Sequence, residues 1–435
     1  MSATALVVSN MIGTGIFTGT GFLAAQLGST DLILWIYAIG GISAFLGAMC
    51  YAELGINFPS SGGEYVYLTK AFGPVWGFMT GWASFFAGFS APIAAAALAF
   101  SAYLAHFFPS LQGVGGQLVA CLLVAVFTAL NIFGVQRTAT VQNFLTGIKV
   151  IVLVAFIVLG FTIGNGNAAN FSLTATRDVA TPLAEQFAIS LVWVYVAYSG
   201  WNAATYVAEE LHRPSKTLPW ALGIGTVLVT ALYLVLNLVF VYAAPLEEMK
   251  NVEAVGSFAA SHLFGPVGSG IFAGLMALSL MSTVNAMVTI GPRVYFAMAR
   301  NGAFPAIAAK VHPKFHTPVA AILAQAVCTM LMTLTPFPQL VLYIGMTLNI
   351  FTVMSVLSIF FFRKRAGWQK LPAVSFLYPA FPVLFSVVGI WLTYQGIVLR
   401  PWIALATFLT LLTGAAVYHF KLRKATPEAP AIETY

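Results

Sequence analysis

Ser9-Asn10-Met11-Ile12-Gly13-Thr14-Gly15-Ile16-Phe17 lies inside the first long apolar run of the chain, yet its small, helix-weak residues argue against one continuous helix. A second stretch, Tyr195-Val196-Ala197-Tyr198-Ser199-Gly200-Trp201-Asn202, interrupts the sixth apolar run in the same way. Hydrocarbon supplies no partners for unwound backbone, so peptide groups freed at that depth must face protein or a water-filled cavity. Matched interruptions in two halves of a chain point to a solute-binding site near the midplane of a membrane.

Composition fixes the setting. Of 435 residues, 60% are hydrophobic and 7% charged, with a mean hydropathy of +0.91. Soluble domains carry about a quarter charged residues, so this is an integral membrane protein. The basic pI, near 9.3, does not imply a nucleic-acid partner, because the placement of the basic residues accounts for it. Cys50, Cys121 and Cys328 all sit in apolar segments and read as small buried side chains, neither a disulfide framework nor a metal cluster. No basic leader precedes the first run, so no cleavable signal peptide is expected.

At about twenty residues per span, twelve spans are predicted, roughly 3–27, 31–56, 73–105, 115–134, 141–164, 183–211, 219–243, 264–298, 318–335, 338–362, 376–398 and 401–420. The expected fold is all-α, with 1–164 a first five-helix repeat, 183–362 a second and inverted one, 376–420 two additional spans and 421–435 a cytoplasmic tail. An odd number of helices per unit forces the second unit to insert upside down. With the N-terminus inside, fifteen Lys and Arg residues fall on the cytoplasmic side, among them Lys70, Arg137, Arg213 and Arg363. Only Arg177, Lys250 and Arg400 fall outside, a clear positive-inside pattern that places both termini in the cytoplasm of a plasma (inner) membrane.

The first break has a definite chemistry. Gly13-Thr14-Gly15 leaves the N–H groups of the following half-helix without partners, with the positive end of its dipole, which suits a carboxylate. The half-helix ending near Met11 exposes carbonyls that suit an ammonium, and the sixth run repeats this near Val196 to Gly200. A zwitterion satisfies both, so an α-amino acid is the expected ligand. The plainer alternative is that these glycines serve close helix packing, as Gly15 and Gly19 can at small-xxx-small spacing. The run is no dinucleotide fingerprint, since it lacks the G-x-G-x-x-G spacing and follows no strand.

Several motifs in order then identify a family. Met11-Ile12-Gly13-Thr14-Gly15-Ile16-Phe17 resembles the first-helix signature of the amino acid–polyamine–organocation (APC) superfamily of permeases. Tyr198-Ser199-Gly200-Trp201-Asn202, with Val207-Ala208-Glu209-Glu210 after it, resembles the sixth helix of the L-type amino acid transporter branch. Tyr51-Ala52-Glu53-Leu54, Pro59-Ser60-Ser61-Gly62-Gly63-Glu64-Tyr65 and Arg300-Asn301-Gly302-Ala303-Phe304-Pro305 extend the likeness over about residues 1–400. The resemblance implies the LeuT-type 5+5 inverted repeat with discontinuous helices 1 and 6, and alternating access. It puts the substrate carboxylate at the amides of Thr14 and Gly15, with Gly13 allowing the turn. The amine goes to the carbonyls of Met11, Val196 and Ser199, and Asn349 serves as a polar pocket residue. Where the family carries an aromatic lid this chain has Val196, so either Trp193, Tyr195 or Trp201 closes the site or closure is less complete.

Lys149 stands eight or nine residues into the fifth span. An ionisable group there costs about 2.5–3.5 kcal/mol on insertion scales, so it should face the bundle and find a partner; the alternative is snorkelling to the surface. The resemblance implies a built-in cation between spans 1 and 8, near Ser279, Ser282, Thr283 and Asn285, and hence sodium-independent transport. Glu53, Glu209 and Glu210 are expected to pair with Arg213, Lys216 or Arg137, with proton coupling through one of them the lesser reading. His312 and His316 offer too few ligands for zinc.

These readings lead to an antiporter of neutral L-amino acids, not an enzyme, needing no cofactor or metal. Proton-coupled uptake of amino acids or polyamines is the nearest rival. A membrane-embedded enzyme would need convergent catalytic groups and a channel a continuous polar stripe, and neither is discernible. Relatives in the L-type branch pair with a single-span glycoprotein through a cysteine outside spans 3–4. The loop 106–114 has none, so no obligate glycoprotein partner is expected, and the partners are the substrate and the lipid bilayer.

Overall fold

The computed structural model describes residues 3–59, 62–111, 113–133, 138–300, 302 and 304–422, without side chains at 138–146, 209–210, 297 and 421–422. Ser60, Ser61, Arg137, Asn301, Ala303, the tail from 423 and the side chains of Glu209 and Glu210 therefore lie outside the described residues. Among the described residues all regular structure is helical.

The first apolar run folds as α1 (Ala3–Met11) and α2 (Thr14–Leu27), and the chain returns through α3 (Thr30–Asn57). Residues 57–72 read as a polar connection, but α4 (Glu64–Phe72) forms within them. Its Glu64, Tyr67 and Leu68 are buried at helical spacing, a face that the mean hydropathy of the segment hides. Next come α5 (Pro74–Ala83), a π-helical Ser84–Ser90, α6 (Ala91–Leu104), α7 (Val114–Ile132) and α8 (Thr138–Thr162). Pro74, like Pro214 and Pro401 later, occupies a first helical turn, where its missing N–H has no intrahelical partner to lose.

The sixth run forms α9 (Leu183–Tyr198) and then departs from the expectation of two α half-helices. A turn at Gly200, whose φ of 99° suits glycine, leads into a 3-10 segment, Ala203–Glu210. Then follow α10 (Pro214–Ala243), the short α11 (Leu246–Met249) and α12 (Val255–Arg300). α12 starts nine residues before the predicted eighth span; Gly265 (φ 73°) and Pro266 mark the predicted start as a kink inside it. The remainder is α13 (Val319–Met332), α14 (Phe337–Leu357), α15 (Ile359–Phe362), α16 (Pro372–Phe376), α17 (Ala380–Leu399) and α18 (Pro401–Val417).

Nine helical stretches among the described residues are long and apolar enough to cross a bilayer, from Ala3–Leu27, counted across its break, to Pro401–Phe420. Gly147–Thr162 and Val319–Met332 are shorter apolar helices, and α9 is cut short by its break. Large apolar side chains such as Leu118, Trp220 and Trp402 are exposed, as expected where the solvent is hydrocarbon.

One polar anchor ties two distant parts together. Glu53, fully buried in the last turns of α3, accepts a bidentate pair from Arg363 (Nε 2.7 Å, Nη2 2.6 Å), Trp368 Nε1 at 2.9 Å and the Leu371 amide at 3.0 Å. Asn57 exchanges two 2.8 Å hydrogen bonds with the backbone of Gln369. The expected partners of Glu53 are thus replaced by Arg363, because α3 and α15 end on the same face, while Arg213 and Lys216 stand exposed.

Candidate functional site

The two interruptions meet. A Cβ on Gly15 would stand 2.5 Å from Ala197 Cα, and one on Gly200 would stand 2.9 Å from the backbone of Asn10. α2 therefore begins backbone against backbone on the end of α9, a contact only glycine permits. Gly15→Ala is expected to destabilise the fold by about 1–3 kcal/mol through overpacking. It should also force the breaks apart, and a thermal melt in detergent equal to wild type would show that this contact is dispensable.

The helix ends at this junction differ in how they are satisfied. No side chain caps α2 at Gly13, and among the described residues nothing accepts from the N–H groups of Thr14 or Gly15. Those donors point out of the positive end of a fourteen-residue helix. The Met11 carbonyl instead accepts the Tyr233 hydroxyl at 2.6 Å, and the same hydroxyl lies 3.1 Å from the Ala197 carbonyl. Tyr233 is fully buried on α10 against Tyr37 and Tyr198. The Val196 carbonyl takes the Ser199 amide at 3.1 Å. Of the three carbonyls proposed for an amine, two thus already hold one donor; each oxygen keeps a second lone pair.

The junction opens on one side. Asn10 and Ser199 are exposed and Gly13, Thr14 and Gly200 half-buried. Towards the far end of α2 it is shut by aromatic rings: Phe22 stacks on Trp193 with centroids 4.5 Å apart, and Phe337 lies 6.3 Å from Phe22 and 6.0 Å from Trp193. The other two lid candidates are engaged elsewhere. Tyr195 hydrogen-bonds Ser43 of α3, and Trp201 sets its ring edge-on to Tyr51 at 4.8 Å and near Phe385 of α17.

Lys149 is buried and directed inward, with Nζ 3.3 Å from the Ser9 carbonyl of α1, two residues before Met11. The expected reach to span 8 is not made: Ser279 and Ser282 are buried on α12, Thr283 donates to the Ser279 carbonyl at 3.2 Å, and none bonds Lys149. Asn349 turns to α17, where its Nδ2 donates to the Gly389 carbonyl at 2.7 Å and to Thr393 at 3.0 Å. A cavity of about 10 Å³, near the size of one water, lies beside it among Val192, Tyr195, Met346 and Thr393. Among the described residues no group of three His, Cys, Asp or Glu side chains is placed to hold a metal.

Sequence reasoning missed Tyr233, Phe22 and Phe337. Tyr233 had no local signal, since its role depends on α10 crossing behind both breaks. The rings read as ordinary apolar filling.

The apolar helices define a multi-pass membrane protein. The chain belongs to the amino acid permease family, whose model matches residues 1–418. It is similar to the serine/threonine exchanger SteT of Bacillus subtilis (strain 168), 30% identical over 430 residues, which are 98% of this chain and 96% of that protein. It is also similar to the large neutral amino acids transporter small subunit 2 of Mus musculus, 32% identical over 431 residues, 96% of this chain and 79% of that one. The Asc-type amino acid transporter 1 of the mouse is 29% identical over 429 residues, with the same coverage. The resemblance to the APC superfamily and its L-type branch therefore holds across the length of the chain.

Proposed function

We propose that this protein is a secondary amino acid transporter that exchanges neutral L-amino acids by alternating access, without sodium. The observation that carries the reading is the junction of the two breaks, where unpaired helix-start amides at Thr14 and Gly15 lie within one backbone contact of the carbonyl ends of α1 and α9. Amides for a carboxylate and carbonyls for an ammonium describe an α-amino acid. Met11, Gly13, Thr14, Gly15, Val196 and Ser199 form the grip, with Asn349 farther out along α14. The relatives named as exchangers or transporters of amino acids agree with this ligand class.

Sodium independence rests on Lys149, whose ammonium is bonded to the carbonyl end of α1, where a bound cation would otherwise be needed to hold it. Trp193, stacked between α2 and α14, is the lid among the three candidates, and the arrangement described is closed beneath it and open beside Asn10 and Ser199. The span plan follows the same reading: α9 and the two shorter apolar helices complete twelve spans, in repeats of 1–164 and 183–362 followed by 376–420. The distribution of basic residues puts the termini, and the open side, in the cytoplasm of the inner membrane.

Counterflow in proteoliposomes tests this. Uptake of a labelled neutral amino acid is expected to require internal amino acid and to be indifferent to sodium and to a pH gradient. Uptake into empty vesicles driven by an inward proton gradient would establish the proton-coupled rival instead.

A further inference from the structure

The corner between α3 and α4 holds a carboxylate that the carrier reading does not use. Glu64 opens α4, is 8% exposed, and no cation pairs with it among the described residues. Its partners are neutral: Oε1 accepts from the Tyr51 hydroxyl at 3.0 Å and from Asn202 Nδ2 at 2.7 Å, and Oε2 accepts from the Tyr206 hydroxyl at 2.5 Å. Tyr206 is also held by shape, since a Cβ on Gly63 would come within 2.5 Å of its ring. α3, α4 and the 3-10 segment beyond the sixth span's break thus converge on one side chain.

The orientation of Asn202 follows from this. A carboxylate only accepts, so the amide nitrogen and not the oxygen must face it. The other Nδ2 proton goes to the Tyr206 hydroxyl at 3.1 Å. Both protons are committed, and Oδ1 is turned the other way. Asn202 is half-buried and two residues beyond Gly200, whose backbone touches Asn10 at the open side of the junction. No described residue donates to its Oδ1, and that atom is not among the buried unpaired ones. An unpaired, solvent-accessible acceptor therefore stands two residues beyond the open side of the junction.

We infer that Glu64 is a positioning residue: it locks Asn202 so that the amide oxygen accepts an N–H or O–H donor from the amino acid in the cleft. The donor is the substrate's ammonium or a side-chain hydroxyl, and the two are separable. The inference rests on the carrier reading above.

The test uses the full chain in proteoliposomes, with counterflow of alanine and of serine. In Glu64→Gln the side chain offers either oxygen or nitrogen to Asn202, so the lock is lost. KM should rise about tenfold, as for a hydrogen bond to a charged group, with turnover changed less than about twofold. A rise for both substrates identifies the ammonium as the donor, and a rise for serine alone identifies the hydroxyl. Adding Asn202→Asp to Glu64→Gln lets the introduced amide donate to the introduced carboxylate and leaves the second carboxylate oxygen facing the cleft, so KM should return towards wild type. Restoration is not expected if Glu64 only holds the corner together. Unchanged KM for both substrates in Glu64→Gln, or no rescue in the double variant, overturns the inference. If Glu64→Gln does not fold, Asn202→Ala, at a half-buried site, deletes the acceptor itself; it should raise KM in the same pattern, and no rise would overturn the inference. A wild-type protein that exchanges neither amino acid refutes the carrier reading instead.

Discussion

Glu53→Ala is expected to destabilise the folded protein by about 3–5 kcal/mol, the cost of stranding one member of a buried ion pair. The carboxylate is fully buried and takes four hydrogen bonds, two from Arg363, one from Trp368 and one from the Leu371 amide. Its removal leaves a guanidinium 7% exposed and orphans an indole and a backbone N–H. Thermal melting of the purified protein in detergent reads the loss. Replacing Glu53 and Arg363 together by methionine should recover much of it, since a matched apolar pair removes the uncompensated charge. A drop below about 1 kcal/mol for Glu53→Ala would class the pair with exposed ion pairs.

Lys149→Ala should abolish most transport and spare the fold. The ammonium is the link between α8 and the end of α1 beside the first break, through the Ser9 carbonyl. A charge-assisted hydrogen bond of this kind is worth about 10- to 100-fold in an equilibrium constant, so uptake should fall by that order. Protein yield and monodispersity should match wild type, because alanine removes a buried charge and not a partner of another charge. Unchanged uptake kinetics would remove Lys149 from the mechanism.

The breaks were legible because their causes are local. Gly13-Thr14-Gly15 and Ser199-Gly200 weaken a helix wherever they stand, and the structure interrupts both helices there. The direction of Lys149 was legible in part, since burial demanded a partner but did not say which; Ser9 supplies it and the α12 hydroxyls do not. The partner of Glu53 was hidden, because Arg363 lies 310 residues away and its approach depends on two helices ending on one face. Asn349 was placed by family pattern in the pocket, yet its amide nitrogen is bound to α17, a helix outside the predicted repeats. α4 escaped because hydropathy averages over its buried and exposed faces. The misses at Lys149, Glu53 and Asn349 all concern contacts between remote segments.

The acceptors and donors at the junction, Met11 and Ala197 carbonyls and the Thr14 and Gly15 amides, belong to the main chain. Apart from proline, which would remove an amide N–H, no substitution deletes them; selection otherwise acts on them through residues that bend or crowd the backbone, such as Gly15 and Gly200. On the carrier reading proposed above, a change of cargo would fall on side chains around the junction, so libraries aimed at new substrates should vary those and leave the glycines untouched.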